Sequence, residues 1–112
     1  GYCYFKTIGG HDLSNAVGQR VTVHTAKGPV AGVIGKKPIH LLKPDERGKP
    51  VSIEDLWIDV GCVSRDETVA AGVRVGDPAT YTDGFTRLVG DRVTARALDN
   101  RVGAWVVAEA LR

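Results

Sequence analysis

RVTVHTAKGPVAGVIG, from Arg20 to Gly35, decides the fold class of this 112-residue chain. Val21 and Val23 alternate with Thr22 and His24, the period of a strand with one buried face. Ala26-Lys27-Gly28-Pro29 then supplies a turn, and Val30 to Ile34 runs back, so residues 20–35 read as a β-hairpin. Upstream, the aromatic and β-branched run Tyr2 to Ile8 reads as a strand stopped by Gly9-Gly10. Asp12 to Gln19 reads as a short helical turn with Gly18 as terminator. Downstream, Ser52 to Leu56 reads as a helical turn and Trp57 to Val60 as a short strand ended by Gly61. Ser64 with Glu67 has the capping-box spacing, which predicts a helix over 65–71 closed by Gly72. Strands are expected near 78–82, 85–89 and 92–97, separated by the Asp83-Gly84 and Gly90-Asp91 turns, and a helix from Val102 to Arg112. The chain is therefore mainly β with short helices.

Composition narrows the function classes. A single domain of this length holds a modest core. Fourteen glycines and five prolines fit a turn-rich β body. A net charge of +2 gives no basis for binding nucleic acid or an anionic membrane. No apolar run approaches membrane-spanning length and no signal peptide is visible, which makes the cytoplasm the expected compartment. Cys3 and Cys62 lie in no C-x-x-C pair and near no histidine at ligand spacing, so a cysteine zinc site is not expected; two idle thiols are.

Chemistry concentrates at Ala97-Leu98-Asp99-Asn100-Arg101. This stretch closes a strand-like run and opens a helical one. In open α/β sheets such a junction is where ligands gather. Asp99 there has two readings: a helix N-cap accepting backbone N–H bonds, or a metal or ligand carboxylate. The helix that follows is apolar nearly all round, carrying charge only at Arg101, Glu109 and Arg112. Such a helix must be covered on most sides. The first strand also lacks a preceding turn, so both ends are expected to meet more polypeptide or a partner chain.

Three ordered stretches carry a family resemblance: GVIGKKPIHLL (Gly32 to Leu42), the pair LWIDVGC and GVRVGDPATY (Leu56 to Cys62, Gly72 to Tyr81), and ALDNRVG (Ala97 to Gly103). With IGGHD at Ile8 to Asp12, the sequence resembles the central part of the dinuclear metalloaminopeptidases that assemble into tetrahedral dodecamers. These include the deblocking and glutamyl aminopeptidases, some relatives of which are labelled endoglucanases. The resemblance implies a two-domain parent: an α/β catalytic domain holding two divalent metals, zinc or cobalt, and an inserted β-barrel or PDZ-like dimerisation domain. Residues 1–8 would be a catalytic-domain strand, 9–83 the inserted domain, and 84–112 the strand and helix returning to the catalytic domain. It also implies a homo-oligomer, from dimer to dodecamer, and short peptides as substrates.

On the family motif, Asp99 is the carboxylate bridging both metals, and the Asp99–Asn100 peptide is expected to be cis. Asn100 and Arg101 would support the bridging carboxylate from behind, with Arg101 orienting it or a neighbouring carboxylate; a surface or helix-end ion pair is the equal alternative for Arg101. A carboxylate suits that role because each oxygen can bind one cation, and dinuclear hydrolases hold their metals roughly 3.5–4 Å apart. The family's remaining ligands, a His-x-Asp motif, a Glu-Glu pair, another Asp and a final His, have no counterpart in this sequence. These 112 residues alone are thus expected to be inactive and to hold no metal tightly, while the parent hydrolyses N-terminal peptide bonds.

The remaining polar candidates have plainer readings. His11-Asp12 is read as a turn pair, His24 as a solvated strand residue, and His40 as a structural hydrogen-bonding residue ahead of a dimer contact. Lys36, Lys37 and Lys43 are read as a solvated basic face ahead of an anion site, and KPDERGKP (43–50) as an exposed loop. Gly103 is read as permitting close helix–sheet approach. The alternative function is a free-standing β-rich module that binds peptides or a second copy along a strand edge, with Asp99 merely a helix cap.

Overall fold

The computed structural model describes every residue except Glu46, which belongs to the expected 43–50 loop. The chain divides into two units, Gly1–Thr82 and Asp83–Arg112.

The first unit is built on a five-stranded antiparallel sheet. Its strands are β1 (Tyr2–Cys3), β2 (Arg20–Thr25), β3 (Gly28–Lys36), β4 (Leu56–Asp59) and β5 (Ala79–Tyr81), in the order β1-β4-β3-β2-β5. The central hairpin forms as expected, with Arg20 opposite Val33 and Thr25 opposite Gly28. Its two-residue connection, Ala26-Lys27, leads into Gly28, whose φ of +119° suits glycine, and Thr25 Oγ1 donates to the Gly28 carbonyl at 2.7 Å. On the other flank of β3, Ile34 faces Ile58 and Lys36 faces Leu56.

Alternation along these strands sends Val21, Val23, Ile34, Leu56 and Ile58 to one face, where Ala16 joins them in the buried core. Leu56 is fully enclosed. Burying a side chain of that size contributes about 1.5–3 kcal/mol. Gly32 and Gly35 make room on β3. A Cβ at Gly32 would lie 2.6 Å from Ile58 Cγ2, and one at Gly35 2.7 Å from the Trp57 indole nitrogen. The Trp57 ring in turn stacks on Tyr2, with centroids 4.9 Å apart.

Both expected helical turns are present. A 3-10 turn at Leu13–Asn15 is capped by Asp12, whose carboxylate accepts from the Ser14 N–H at 2.9 Å. Another at Ile53–Asp55 carries a capping box in which the Ser52 N–H donates to Asp55 Oδ2 at 3.1 Å. Helix α1 (Arg65–Ala70) begins at Ser64, whose hydroxyl accepts from the Glu67 N–H at 3.1 Å. Asp66 and Glu67 in its first turn complement the helix dipole.

The expected strand over Tyr2–Ile8 shrinks to Tyr2–Cys3. Only Tyr2–Asp59 and Cys3–Ile58 form pairs, while Tyr4 and Ile8 stand 74% and 88% exposed. Aromatic and β-branched residues suit a pleated surface, but a strand lasts only as long as its neighbour does.

The second unit comprises a short hairpin, β6 (Thr86–Arg87) with β7 (Val93–Thr94), and helix α2 (Leu98–Ala110). The hairpin turns through Gly90 at φ +72°. Its strands are shorter than the expected 85–89 and 92–97 because the ladder carries two pairs only. Val102, Trp105, Val106, Val107 and Leu111 on α2 are all more than half exposed within the chain. Among the described residues, no helix is long and apolar enough to cross a membrane.

Candidate functional site

The strand-to-helix junction of the second unit is tightly shaped. Ala97 is the one described non-glycine residue at positive φ (+63°, ψ +25°), and it turns the chain out of the β6–β7 region into α2. Asp99 (φ −86°, ψ 108°) and Asn100 (φ −123°, ψ 47°) are not helical, so the regular helix starts at Arg101. The Asp99–Asn100 peptide is cis, as the resemblance implied.

This geometry settles which side chain caps the helix. Asn100 Oδ1 accepts from the Gly103 N–H at 2.9 Å, the bond an N-cap makes to the third residue of its helix. A Cβ at Gly103 would collide with that oxygen, so the glycine is needed for the cap itself. The close approach expected at Gly103 is thus made to the Asn100 amide. The capping alternative for Asp99 is not realised: its carboxylate is exposed and accepts no hydrogen bond among the described residues. Arg101 is exposed and forms no ion pair among them.

A carboxylate with both oxygens uncommitted has the donor chemistry to bridge two cations. It is one ligand, however. Among the described residues no three His, Cys, Asp or Glu side chains gather closely enough to hold a metal ion. A complete metal centre at Asp99 therefore requires ligands from other polypeptide.

The other candidates disperse. His11 Nε2 lies 3.2 Å from the Ile8 carbonyl and its ring meets Tyr81 edge-on, while Asp12 serves the 3-10 turn. The Ser14 hydroxyl, aided by the Ser14 N–H, holds the Asp12 carboxyl below the usual carboxylate range. His24 is more than a solvated residue, since its Nε2 lies 2.9 Å from Thr80 Oγ1 across the β2–β5 pair. His40 is exposed in the 3-10 turn Ile39–Leu41, and among the described residues it has no hydrogen bond, so the expected structural bond is absent. Cys3 and Cys62 are free thiols, both half-buried. Burial chiefly pushes the Cys3 thiol up.

The basic cluster noted in the sequence borders a hollow that the sequence did not reveal. Lys36 and Lys37 line a concavity of about 350 Å³ with Arg47, Lys49, Ile39, Leu42 and Val51 among its walls. Its lining comes from residues 36–42 and 47–55, and the repeated basic residues there were the local signal.

With the geometry in place, comparison with known proteins is unambiguous. The M42 glutamyl aminopeptidase family matches residues 1–112. The chain is 44% identical to a TET aminopeptidase from a marine sediment archaeon of the Thaumarchaeota, covering all of this chain and 32% of that one, with a TM-score of 0.92. It is 35% identical to the TET1 peptidase of Pyrococcus horikoshii, covering 99% of this chain and 33% of that one, at a TM-score of 0.81. That peptidase can assemble into a tetrahedron or a large octahedral shell. The lysyl aminopeptidase of Pyrococcus furiosus is 32% identical over 113 residues, covering all of this chain and 33% of that protein. The chain spans about a third of the length of the relatives it matches. From its first residue to its last, it belongs to the M42 glutamyl aminopeptidase family.

Proposed function

We propose that the protein carrying this chain is a cytoplasmic, metal-dependent aminopeptidase that removes N-terminal residues from short peptides, with Asp99 bridging two divalent ions, zinc or cobalt. The observation that carries this reading is the division of labour at the junction. Asn100 takes the helix cap, which leaves the exposed Asp99 carboxylate without a structural task. The alternative, a free-standing interaction module in which Asp99 is only a cap, lacks that support.

When bound, such a metal pair polarises the scissile carbonyl and lowers the pKa of a bound water. The roles of the chain's own residues are positional. The Asn100–Gly103 bond fixes the first turn of α2 and with it the backbone that carries Asp99. Arg101, exposed on that turn, would orient Asp99 or a neighbouring carboxylate once the other ligands are in place.

In this proposal residues 9–83 form the inserted, barrel- or PDZ-like dimerisation domain, and residues 1–8 and 84–112 belong to the catalytic domain. The boundary between compact units after Thr82 supports the second of those limits; the first has no such support, since Tyr2–Cys3 pairs with β4 inside the first unit. The assembled relatives support a homo-oligomer; a cage that admits only short peptides is part of the proposal. Assaying the intact protein on unblocked and N-acetylated peptides, with and without a chelator, tests the reading. We expect hydrolysis of the unblocked peptides alone, abolished by the chelator and restored by zinc or cobalt. Chelator-resistant hydrolysis, or none under any metal, would refute it.

A further inference from the structure

The concavity of about 350 Å³ in the first unit has a chemistry of its own. Lys36, Arg47 and Lys49 line it, and none of the three has a hydrogen bond or ion pair among the described residues. Lys36 is half-buried there. Asp55 is the acidic residue among the described lining, and its Oδ2 already accepts the Ser52 N–H at 3.1 Å. Among the described lining residues the basic side chains outnumber the single acidic one, Asp55, and an excess of positive charge around one concavity favours an anion there.

The walls say which kind of anion. Ile39, 70% exposed, and the half-buried Leu42 and Val51 line the same space. Inorganic phosphate has no apolar part to cover Ile39. A carboxylate beside an aliphatic group satisfies both surfaces, because the Arg47 guanidinium matches a carboxylate fork and the aliphatic group excludes water from the wall. The volume lies at the lower end of the ~300–1,000 Å³ usual for small-ligand sites, which suits one or two residues of a peptide. We infer that this concavity binds a peptide carboxylate adjacent to an aliphatic side chain, as at the C-terminus of a short peptide ending in leucine. The inference is independent of the aminopeptidase reading.

The test is fluorescence anisotropy on the intact protein with Gly-Gly-Leu blocked at its N-terminus by fluorescein, so that no aminopeptidase can cleave it. Parallel arms use its C-terminal amide and a Gly-Asp-Leu amide, which separates terminal from side-chain carboxylates. Saturable, salt-sensitive binding of the free carboxylate is expected, with the Gly-Gly-Leu amide at least about tenfold weaker. Lys36→Gln and Arg47→Gln should each weaken binding several-fold, and Arg65→Gln, on α1 and outside the concavity, should leave it unchanged. Absence of saturable binding, equal binding of the Gly-Gly-Leu amide, or an equal loss in Arg65→Gln would overturn the inference. So would displacement of the peptide by inorganic phosphate at lower concentration than by a branched-chain carboxylate.

Discussion

Replacing Gly32 by alanine tests the packing logic of the central sheet. Gly32 sits mid-strand in β3, opposite Val21 of β2, with β4 on its other side. A Cβ there would meet Ile58 Cγ2 at 2.6 Å, the Asp59 carbonyl oxygen at 3.2 Å and Val21 Cγ2 at 3.4 Å. Ile58 is 3% exposed and β-branched, so it has little freedom to turn aside, and the carbonyl belongs to the β4 backbone. Forcing a methyl into such a site costs about 1–3 kcal/mol. Against this stands the stiffer unfolded chain, which returns about 0.4–1 kcal/mol on replacing glycine. The overpacking wins, for a net loss of about 1–2 kcal/mol and a melting temperature lower by roughly 5–15 °C. Gly10→Ala is the internal control, since its Cβ would meet nothing within 4 Å and its φ is not positive. That variant should gain the entropic part alone and melt slightly higher. Thermal and urea unfolding followed by circular dichroism reads both. If Gly32→Ala matches or exceeds the parent while Gly10→Ala behaves as stated, the close approach at Gly32 is not a real constraint.

Three further outcomes follow from the same geometry. Leu56→Ala, at the fully enclosed centre of the core, should cost about 2–5 kcal/mol in urea unfolding, whereas a loss below 1 kcal/mol would mean the site collapses around the gap. Asn100→Ala should cost about 0.5–2 kcal/mol through its cap, yet add little in a Gly103→Ala background where the cap is already displaced; additive losses would disprove the coupling. Burial raises the Cys3 thiol, so its thiolate is scarcer at neutral pH and alkylation should be slower in the folded than in the unfolded protein, with a rate that climbs through the raised pKa. The linkage has the matching sign: the stability tied to the protonated Cys3 is whole below the ordinary thiol range and is lost as pH rises through the raised value.

How much of this was legible in the sequence depends on the range of the interactions. The hairpin over residues 20–35 and the turns at Asp12, Ser52 and Ser64 are local, written in a two-residue period or in a capping side chain near the backbone it serves. The Tyr2–Ile8 run showed the limit, because its length is set by β4, more than fifty residues away. At the junction, Asp99 and Asn100 are equally good caps by residue type. Only the backbone turn at Ala97 and the space at Gly103 determine that Asn100 does the capping. His40 and the basic concavity show the same limit, since residue types alone state neither whether His40 finds a partner among the described residues nor that residues 36–42 and 47–55 fold around a hollow.

The central claim is that Asp99 is a metal-bridging carboxylate. Its most direct test is the metal content of the intact protein by inductively coupled plasma mass spectrometry, for the parent and for Asp99→Asn, with circular dichroism to confirm that both are folded. The account predicts two divalent ions per subunit in the parent and loss of at least one in the variant at unchanged fold. A folded Asp99→Asn protein that keeps the parent's full metal content would contradict it.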